Sequence, residues 1–383
     1  MRTKNLVLIL CCVVLTSFIF IILGPAGQQN DSLKNIVTQT HQRFNKLQEN
    51  LRATEAKKFD IEPKYLAILG FSNLPTSPSQ TLYTGGQSQP SQLQQSSQPF
   101  TTNATPYNGT KANFTIVTYV QEGQAPSAIL LSQNIAAKFP NEYLLIYDLG
   151  LSEDDSRALS AFCNSSKCSV INYDLSVFPS YVTDQRMHAY RPIVIKDALM
   201  RSKNILFAEN SVRIRGNSRD LNDLRAKAGP GVLGWTTPKA VSTRTHPKMF
   251  DYFQTDADDF IFLRMVELDK VFFADTPLVE EKILLPWIKC ALTLECIDPI
   301  GAQSNGCKYN KKPQYRYSGC HAYDTSAFNI VLGLTWHLDD SKYSLPGEDN
   351  NIFYQETLEQ ATKILENRRR NSSETSDHPF ADD

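Results

Sequence analysis

A polar turn at residues 209–211 places one carboxylate and one hydroxyl on either side of a single residue. Glu209 supplies the carboxylate and Ser211 the hydroxyl, directly after the apolar run 205–208. Hard divalent cations prefer oxygen ligands, carboxylates above all, so Glu209 and Ser211 are candidate ligands of Mn²⁺ or Mg²⁺. The alternative is structural, because a carboxylate at a strand end can also cap a turn or form a salt bridge.

Further polar residues lie at the ends of other predicted elements. Tyr119 and Asp148 end two predicted strands, where each is a candidate substrate contact. Asp148 could hold a nucleoside or, equally naturally, form a turn before Gly150. Arg191 and Lys196 lie at the start of a predicted helix, where cations could bind a diphosphate. For Lys196 we favour a solvated surface charge.

Three acidic residues in the C-terminal half are also candidates. Asp324 precedes the apolar run 327–332, so it is either a helix N-cap or, as we favour, a functional group. Asn329 lies in the same segment and is a candidate binding residue. Asp256 and Asp258 have the spacing of a metal-binding pair. They precede an aromatic run rather than following a strand, and we interpret them as part of a solvated loop.

The order of the apolar segments predicts an α/β fold that would bring these residues together. Continuous apolar runs predict strands, and runs with apolar residues at helical spacing predict the helices between them. Ser152 is a predicted helix N-cap, and Pro192 is a predicted first-turn proline. Parallel strands joined by helices form a mostly parallel sheet, which binds ligands beyond the carboxyl ends of its strands. The predicted strands cover 114–120, 143–147, 169–173 and 204–208, and the predicted helices cover 125–138, 152–162 and 193–200.

The N-terminus predicts a membrane anchor. Arg2 and Lys4 precede an uncharged, mostly apolar run from Leu6 to Leu23, and the next basic residue is Lys34. A helix of that length spans about 27 Å, close to the hydrocarbon thickness of a bilayer. Positive charge before the run keeps the N-terminus in the cytoplasm, which predicts a type II membrane protein. A cleaved signal peptide is the alternative, but its apolar region is usually shorter, about 7–15 residues.

Two further patterns predict that the rest of the chain is lumenal or extracellular. N-glycosylation sequons begin at Asn30, Asn103, Asn108, Asn113, Asn164 and Asn371. Six cysteines remain beyond the two in the anchor, an even number that indicates disulfides in an oxidising compartment. A zinc site is the alternative, which the absence of a C-x-x-C pair disfavours. Proximity in sequence favours the pairs Cys163–Cys168, Cys290–Cys296 and Cys307–Cys320.

Composition and charge divide the chain into five parts. We assign residues 1–5 to a cytoplasmic tail, 6–23 to the anchor, 24–112 to a stem, 113–365 to a lumenal domain and 366–383 to a disordered tail. The stem begins with an amphipathic helix that could pair two chains. It continues as a linker rich in Ser, Gln, Pro and Thr, which cannot bury a core. The net charge of -1 gives no electrostatic reason to expect nucleic-acid binding.

Four segments carry a resemblance to a known family. They read HAYRPIVIKDAL at 188–199, ILFAENS at 205–211, LPWIKCAL at 285–292 and YSGCHAYDTSA at 317–327. On these segments, residues 110–360 resemble a family of invertebrate, chiefly nematode, type II membrane proteins of unknown function. That family is similar in layout to retaining nucleotide-sugar glycosyltransferases of the GT-A fold, which have a Rossmann-like sheet with flanking helices.

The resemblance implies a Golgi-type enzyme that moves a sugar from a nucleotide donor to a glycan or glycoprotein acceptor. GT-A enzymes usually hold the diphosphate through a metal ion on an Asp-x-Asp turn, and Glu209-Asn210-Ser211 stands at that place. Asp324 and Asn329 match the ends of their Asp-Gln-x-x-x-Asn segment, so Glu209 and Asp324 are the implied catalytic residues. The rival hypothesis is a non-catalytic lumenal or cell-surface protein that keeps the fold for binding.

Overall fold

The computed structural model describes residues 61–71 and 114–376, apart from 165, 230, 311, 314 and 348–351. The predicted cytoplasmic tail, the anchor and most of the predicted stem lie outside the described residues. The sequons at Asn30, Asn103, Asn108 and Asn113 also lie outside them. Within the described part of the chain, no helix has both the length and the apolar character needed to span a membrane.

The first half of the described domain alternates strands and helices in the predicted order. Its predicted elements agree with the structure to within two residues at each end. Ser152 is an N-cap that accepts a hydrogen bond from the Asp155 N–H at 3.2 Å, and Pro192 lies in a first helical turn, as predicted. The elements are α1 (Pro63–Ile68), β1 (Thr115–Val120), α2 (Ala125–Lys138), β2 (Tyr143–Asp148), α3 (Glu153–Phe162), β3 (Cys168–Asn172), α4 (Arg191–Arg201) and β4 (Asn204–Ala208).

The second half consists mainly of shorter elements. A π-helical segment at Val279–Leu284 runs directly into α7, and the helix α9 carries a fully apolar stretch. The elements are β5 (Val212–Ile214), α5 (Ser218–Lys227), β6 (Val232–Ala240), α6 (Pro247–Tyr252), β7 (Arg264–Val266), β8 (Lys270–Ala274), α7 (Leu285–Ala291), α8 (Leu294–Ile297), α9 (Tyr323–Thr335), β9 (Ser344–Pro346), β10 (Phe353–Gln355) and α10 (Leu358–Ser376).

The central sheet is mixed rather than mostly parallel. Its strand order is β3-β2-β1-β4-β8-β6-β7, and β9 pairs with β6. The strands β1 to β4 are parallel to one another, whereas β8 pairs antiparallel with β4 and with β6. The prediction covered only the first four strands, which helices connect. The later strands β6, β7 and β8 pair antiparallel with partners that are more than 20 residues away in the chain, so patterns along the sequence did not reveal this pairing.

Alternate residues of β1 divide the core between the two faces of the sheet. Val117 and Tyr119 join the hydrophobic cluster that contains α4 and α9. Ile116 and Val120 join the cluster that contains α2 and α3. Successive strand side chains point to opposite faces, so Tyr119 lies on the same side of the sheet as α4 and α9.

The segment 61–71 belongs to the domain and not to the stem. Ile61, Tyr65, Leu69 and Phe71 are buried in the same hydrophobic cluster as α4 and α9. The ring of Tyr65 lies 5.9 Å from that of Phe178. The predicted stem boundary at residue 112 is therefore wrong for this segment, because its apolar side chains find partners that are remote in sequence.

The predicted disordered tail begins too early. The helix α10 continues to Ser376, beyond the expected end of the domain at residue 365. Thr357 and Gln360 exchange hydrogen bonds between their side chains and backbone N–H groups, which forms a capping box at its start. Ala361 is fully buried, and Arg368 Nη1 donates to Gln133 Oε1 at 2.6 Å. Local capping and docking on α2 thus order part of a polar sequence.

The six cysteines of the described domain form three disulfides with the pairing that sequence proximity favours. The bridges join Cys163 to Cys168, Cys290 to Cys296 and Cys307 to Cys320. Cys290 and Cys296 are fully buried, so their bridge lies in the core between α7 and α8. Two sequons are exposed on the described domain, at Asn164 and Asn371.

The buried Cys290–Cys296 bridge predicts a measurable stability cost on removal. We expect the variant Cys290→Ala/Cys296→Ala to lose about 2–3 kcal/mol of unfolding free energy, because the bridge closes a short loop of the unfolded chain. Denaturant titration measures the loss. The variant Cys163→Ala/Cys168→Ala is the control and should lose less, since Cys168 is only partly buried and its surroundings repack more easily. Alkylation of these six cysteines in denaturant without reductant would contradict the disulfide framework.

Candidate active site

The candidate site lies where the direction of strand addition changes. β2 and β3 extend the sheet on one side of β1, and β4 lies on its other side. At such a switch point the loops after the two central strands run in opposite directions and leave a crevice between them. Tyr119 is near the end of β1, and Glu209 directly follows β4. The Tyr119 hydroxyl donates to Glu209 Oε1 at 3.4 Å.

Arg191 is a buried cation between two carboxylates. Its Nη2 donates to Glu209 Oε1, and its Nη1 donates to Asp324 Oδ2 at 3.1 Å. The side chains of Arg191 and Asp324 are 7% and 1% exposed, whereas that of Glu209 is 25% exposed. Glu209 is therefore the acidic group that a ligand can reach, and Asp324 is buried behind the guanidinium.

Three elements remote in sequence supply these charges. Arg191 is the first residue of α4, and Asp324 lies in the first turn of α9, where the helix dipole stabilises negative charge. Trp287 Nε1 donates to the Asp324 carbonyl at 3.1 Å and fixes this turn against α7. The Glu209 N–H donates to the Asp269 carbonyl at 2.8 Å, which fixes the residue after β4. The backbone thus holds both carboxylates in place independently of Arg191.

One donor of Arg191 has no protein partner. Its Nε is buried and makes no hydrogen bond within the described parts of the chain. An unmade hydrogen bond to a buried polar group costs about 1–3 kcal/mol, more for a charged group. Guanidinium groups bind phosphates through parallel N–H donors, but an anion reaches this buried nitrogen only if the side chains around Arg191 move apart. Arg191 is the group of this crevice best suited to an anionic ligand.

Sequence analysis missed the aromatic side chain that packs beside this cluster. The Tyr190 ring lies edge-on to Tyr119, with ring centroids 5.0 Å apart. The Tyr190 hydroxyl donates to Gln121 Oε1 at 3.1 Å and lies 2.7 Å from His188 Nδ1. The sequence did contain a signal for Tyr190, because it directly precedes the candidate residue Arg191 at the start of a helix. Neighbouring residues at a helix start share the same surroundings.

Burial sets the protonation behaviour of the cluster. It raises the pKa of Asp324 to about 7, against the opposing effect of Arg191. Burial also raises the pKa of Tyr119, so the phenol keeps its proton and can donate it in hydrogen bonds. Burial disfavours the charge of Arg191, but Asp324, Tyr119 and Glu209 together raise its pKa well above the usual value. Asp324 therefore exchanges its proton near neutral pH while Arg191 stays charged.

Four of the predicted residues, Tyr119, Arg191, Glu209 and Asp324, come together in this crevice. Asp324 lies inside α9 and is not the N-cap, which is Ala322. The N-cap alternative for Asp324 is therefore wrong. Its buried carboxylate contacts Arg191 and does not face open space, so its direct contact with a sugar is not supported by the geometry.

Two acidic turns are structural. Asp148 Oδ1 accepts hydrogen bonds from the N–H groups of Gly150 at 3.0 Å and Leu151 at 2.8 Å. The turn-forming alternative therefore describes Asp148 better than the nucleoside contact, because its carboxylate is used by backbone donors where β2 ends. Asp256 Oδ1 accepts from the Asp258 N–H at 3.0 Å, and both residues are exposed, in agreement with a solvated loop.

Lys196 is neither a surface charge nor a member of the Arg191 cluster. Its Nζ donates to Glu280 Oε1 at 2.5 Å and lies 4.6 Å from the ring centroid of Phe71. Its side chain is only 7% exposed. The surface interpretation is wrong, because segment 61–71 and the π-helical segment cover this face of α4. The ammonium group of Lys196, which was a candidate to bind a diphosphate, is already paired with Glu280.

Asn329 joins two elements of the fold and is not a binding residue. It is fully buried, and its Oδ1 accepts from the Val266 N–H at 2.7 Å. Its Nδ2 donates to the carbonyls of Val266 and Thr325, each at 2.8 Å. Both amide donors are used, so Asn329 ties α9 to β7 and has no donor left for a substrate.

The Glu209-Asn210-Ser211 turn does not provide the ligand set of a divalent cation. Arg191 already pairs with the Glu209 carboxylate, and Ser211 offers only a hydroxyl and no second carboxylate. In the described ranges, no group of three or more His, Cys, Asp or Glu side chains could hold a metal ion. Hard cations need several oxygen ligands, so these residues do not fit Mn²⁺ or Mg²⁺. The cation of this crevice is the Arg191 guanidinium.

Three of the solved structures that are similar to this chain are glycosyltransferases with the following likeness. No family model and no curated protein matches the chain. The WbbM bifunctional glycosyltransferase (apo) shares 12% identity over 70% of this chain and 46% of that one, with a TM-score of 0.40. Mouse xyloside xylosyltransferase 1 (apo) shares 9% over 61% and 84%, with a TM-score of 0.36.

The third structure is the mannosyltransferase PcManGT from Pyrobaculum calidifontis in complex with GDP-Man and Mn²⁺. It shares 11% identity over 46% of this chain and 48% of that one, with a TM-score of 0.29. The chain spans about half the length of the first and third structures. TM-scores of this size do not establish a common fold, so the function has to be inferred from the site itself.

The raised pKa of Asp324 predicts a pH-dependent stability. Its pKa is about 7 in the folded state and about 3.9 in an unfolded chain, so the folded state binds the proton more tightly. This contribution is fully present below about pH 4 and is lost as the pH rises through about 7. We expect the variant Asp324→Asn to flatten that part of the pH–stability profile, measured by denaturant unfolding.

The matched control is Asp256→Asn, which changes an exposed carboxylate of a loop. It should leave the slope between pH 4 and 7 as in the unchanged protein. An equal slope in the unchanged protein and in Asp324→Asn would show that Asp324 does not titrate in this range.

Proposed function

We propose that the described domain is a glycosyltransferase that moves a sugar from a nucleotide-sugar to a glycan or glycoprotein acceptor. One observation carries the proposal, namely a buried guanidinium at the switch point of the sheet that is paired with a partly exposed carboxylate. Such a crevice binds ligands in α/β sheets, and Arg191 suits an anionic diphosphate. The layout that the sequence resembles supports the same class of reaction.

In the proposed reaction the bond between the anomeric carbon and the phosphate oxygen breaks, and its electron pair goes to the diphosphate. The acceptor oxygen bonds to the anomeric carbon, and its proton passes to the departing phosphate oxygen. Arg191 offsets the negative charge that the diphosphate gains. Glu209 stabilises the positive charge that develops on the sugar ring, because a fixed carboxylate beside a developing cation lowers the barrier.

Asp324 serves this reaction as a positioning residue. It contacts the guanidinium on the side away from Glu209 and is itself buried. When Asp324 is ionised it holds Arg191 between two anions. When it is protonated, Arg191 keeps only Glu209 as an anionic partner and is better able to bind a phosphate. The charge state of Asp324 thereby tunes how strongly Arg191 attracts an anion near neutral pH.

A non-catalytic lumenal or cell-surface binding protein is the second candidate. The ion pair between Arg191 and Glu209 favours it, because a carboxylate neutralised by a guanidinium is a poor nucleophile and a poor metal ligand. Under this alternative the crevice binds an anionic ligand through Arg191 without turnover. The two candidates differ in whether nucleoside diphosphate is released when both donor and acceptor are present.

We also propose that the chain is a type II protein of the Golgi membrane or of the cell surface. Support comes from the charge pattern around residues 6–23 and from the sequons, two of which lie on exposed positions of the domain. Retention by the Golgi and dimerisation through the stem both depend on residues outside the described part of the chain.

The proposed topology predicts protection of the domain in sealed microsomes. Added protease should leave residues 113–383 intact, and glycosidase after solubilisation should lower the mass by several glycans. Each outcome follows from a lumenal C-terminus, because the membrane excludes the protease and glycans are added in the lumen. An unglycosylated chain that is digested in sealed vesicles would contradict this topology.

The proposed role of Glu209 predicts a loss of turnover that exceeds the loss of binding. We expect Glu209→Gln to lower the rate of nucleoside diphosphate release by about 10²-fold or more, because the lost charge acts mainly in the transition state. Calorimetry with several nucleotide-sugars, with and without Mn²⁺, should show a smaller change in donor affinity. Gln keeps a hydrogen-bond acceptor for Arg191, so the variant should fold.

Asp256→Asn is the matched control, since it removes a carboxylate of a loop that we place outside the site. This variant should leave the rate of nucleoside diphosphate release and the affinity for the donor unchanged. If Glu209 proves dispensable and Asp256 essential, the active site lies at the Asp256 loop and not at the Glu209 turn. Donor binding without release in the unchanged protein, for any acceptor tried, would favour the binding protein.

A further inference from the structure

A stretch between α8 and α9 concentrates positive charge in a nearly neutral chain. Its residues 299–322 contain Lys308, Lys311, Lys312 and Arg316 but no Asp or Glu, whereas the whole chain has a net charge of -1. Such a local excess attracts anions, and its range in physiological salt is about 8 Å. Solvation alone can accommodate a charge run, so further features are needed to indicate a ligand.

The first of these features is that the stretch is held in place. The Cys307–Cys320 disulfide closes it, and the Lys308 N–H donates to the Ser318 carbonyl at 2.8 Å inside the closed loop. Ser242, just after β6, donates its hydroxyl to the Tyr315 carbonyl at 2.8 Å. A loop fixed at several points loses little further entropy when it binds a ligand.

The second feature is that the described cations have no acidic partner. Lys308, Lys312 and Arg316 are exposed, and no carboxylate in the described ranges forms an ion pair with any of them. Beside them, Lys239 Nζ lies 4.1 Å from the ring centroid of Tyr309. The charges of this loop are therefore available to an external anion.

The third feature is an exposed pair of aromatic rings next to these charges. Phe262 is 85% exposed and Tyr315 is 39% exposed, and their ring centroids are 6.3 Å apart. An exposed aromatic pair leaves apolar area in water that a ligand face can cover. We call Lys308, Lys312, Arg316, Phe262 and Tyr315 the basic–aromatic surface.

A short series of hydrogen bonds connects the loop of this surface to the candidate active site. The Ala322 N–H and the Ser326 hydroxyl both donate to the Arg244 carbonyl, at 2.9 Å and 2.8 Å. Arg244 follows Ser242, which contacts the loop, and Ser326 lies in the same helical turn as Asp324. The loop therefore leads directly into the turn that carries Asp324.

We propose that the basic–aromatic surface binds the acceptor, and that this acceptor is a glycan that carries sulfate or carboxylate groups. The acceptor role rests on the proposed function. The apolar faces of sugar rings pack against Phe262 and Tyr315, while the anionic substituents pair with Lys308, Lys312 and Arg316. A simple polyanion would use the charges but not the rings, and the combination of both favours an anionic glycan.

The test measures binding of a heparin oligosaccharide to the full-length protein as a function of salt. Neutral dextran, polyglutamate and phosphatidylserine vesicles are the comparison probes. We expect the heparin oligosaccharide to bind more tightly than each of them. Lys308→Ala/Lys312→Ala/Arg316→Ala should weaken binding at least about 10-fold and reduce the salt dependence, since fewer counterions are displaced.

Each group of residues has a matched control. Arg219→Ala/Lys227→Ala/Lys282→Ala removes three exposed positive charges elsewhere and should leave binding nearly unchanged. Phe262→Ala/Tyr315→Ala should weaken binding about 2- to 10-fold with the same salt dependence, as expected for lost ring contacts. Phe162→Ala, which changes an exposed ring on α3, should have no effect.

Equal binding of polyglutamate and the heparin oligosaccharide would overturn the proposal, as would an unchanged affinity after loss of the two rings. Tighter binding to the vesicles than to the oligosaccharide would identify a membrane-facing surface and would also overturn it. The assay needs no sugar donor, so its result is separate from that of the transferase test. Transfer to neutral acceptors without binding of the anionic glycan would overturn this inference alone.

Discussion

The buried charge of Arg191 is the interaction on which the candidate site depends. A buried ion loses several kcal/mol of hydration, and close partners of opposite charge are needed to compensate. Asp324 on α9 and Glu209 after β4 provide them, so three chain segments must meet in one geometry when α4 is buried. An ion pair of Arg191 with only one carboxylate would require fewer chain segments to meet. The second, partly exposed carboxylate is what gives the cluster an open side and a chemical use.

The fold holds these partners in place without relying on the ion pairs themselves. Asn329 ties α9 to β7 with two hydrogen bonds, and Trp287 fixes the turn that contains Asp324. The antiparallel pairing of β8 with β4 and with β6 extends the sheet as far as β7, the strand that Asn329 joins to α9. Such support matters for function, because groups that are positioned before the ligand arrives need no reorganisation during the reaction.

Two kinds of positively charged group occur near the start of α9. Arg191 is buried and paired, its Nε has no hydrogen-bond partner among the described residues, and its localised charge suits a compact anion such as a diphosphate. The cations around Arg316 are exposed and unpaired with described carboxylates, which suits a longer ligand of distributed charge. The loop that carries Arg316 continues into α9, whose first turn contains Asp324, the partner of Arg191. This arrangement offers a physical reason for a nearly neutral chain to concentrate its charge locally.

Local patterns in the sequence determined the seven strands and helices from β1 to β4, the Ser152 cap and the favoured disulfide pairing, because these depend on residues close together in the chain. They did not determine that the sheet is mixed, that segment 61–71 joins the core, or that Lys196 and Asn329 are tied up within the fold. Sequence also selected Arg191, Glu209 and Asp324 one by one, but could not show that they form one cluster. The contacts of Arg191 span 18 residues to Glu209 and 133 to Asp324. Only tertiary packing decides such contacts, since a side chain's partners and burial depend on which distant segments cover it.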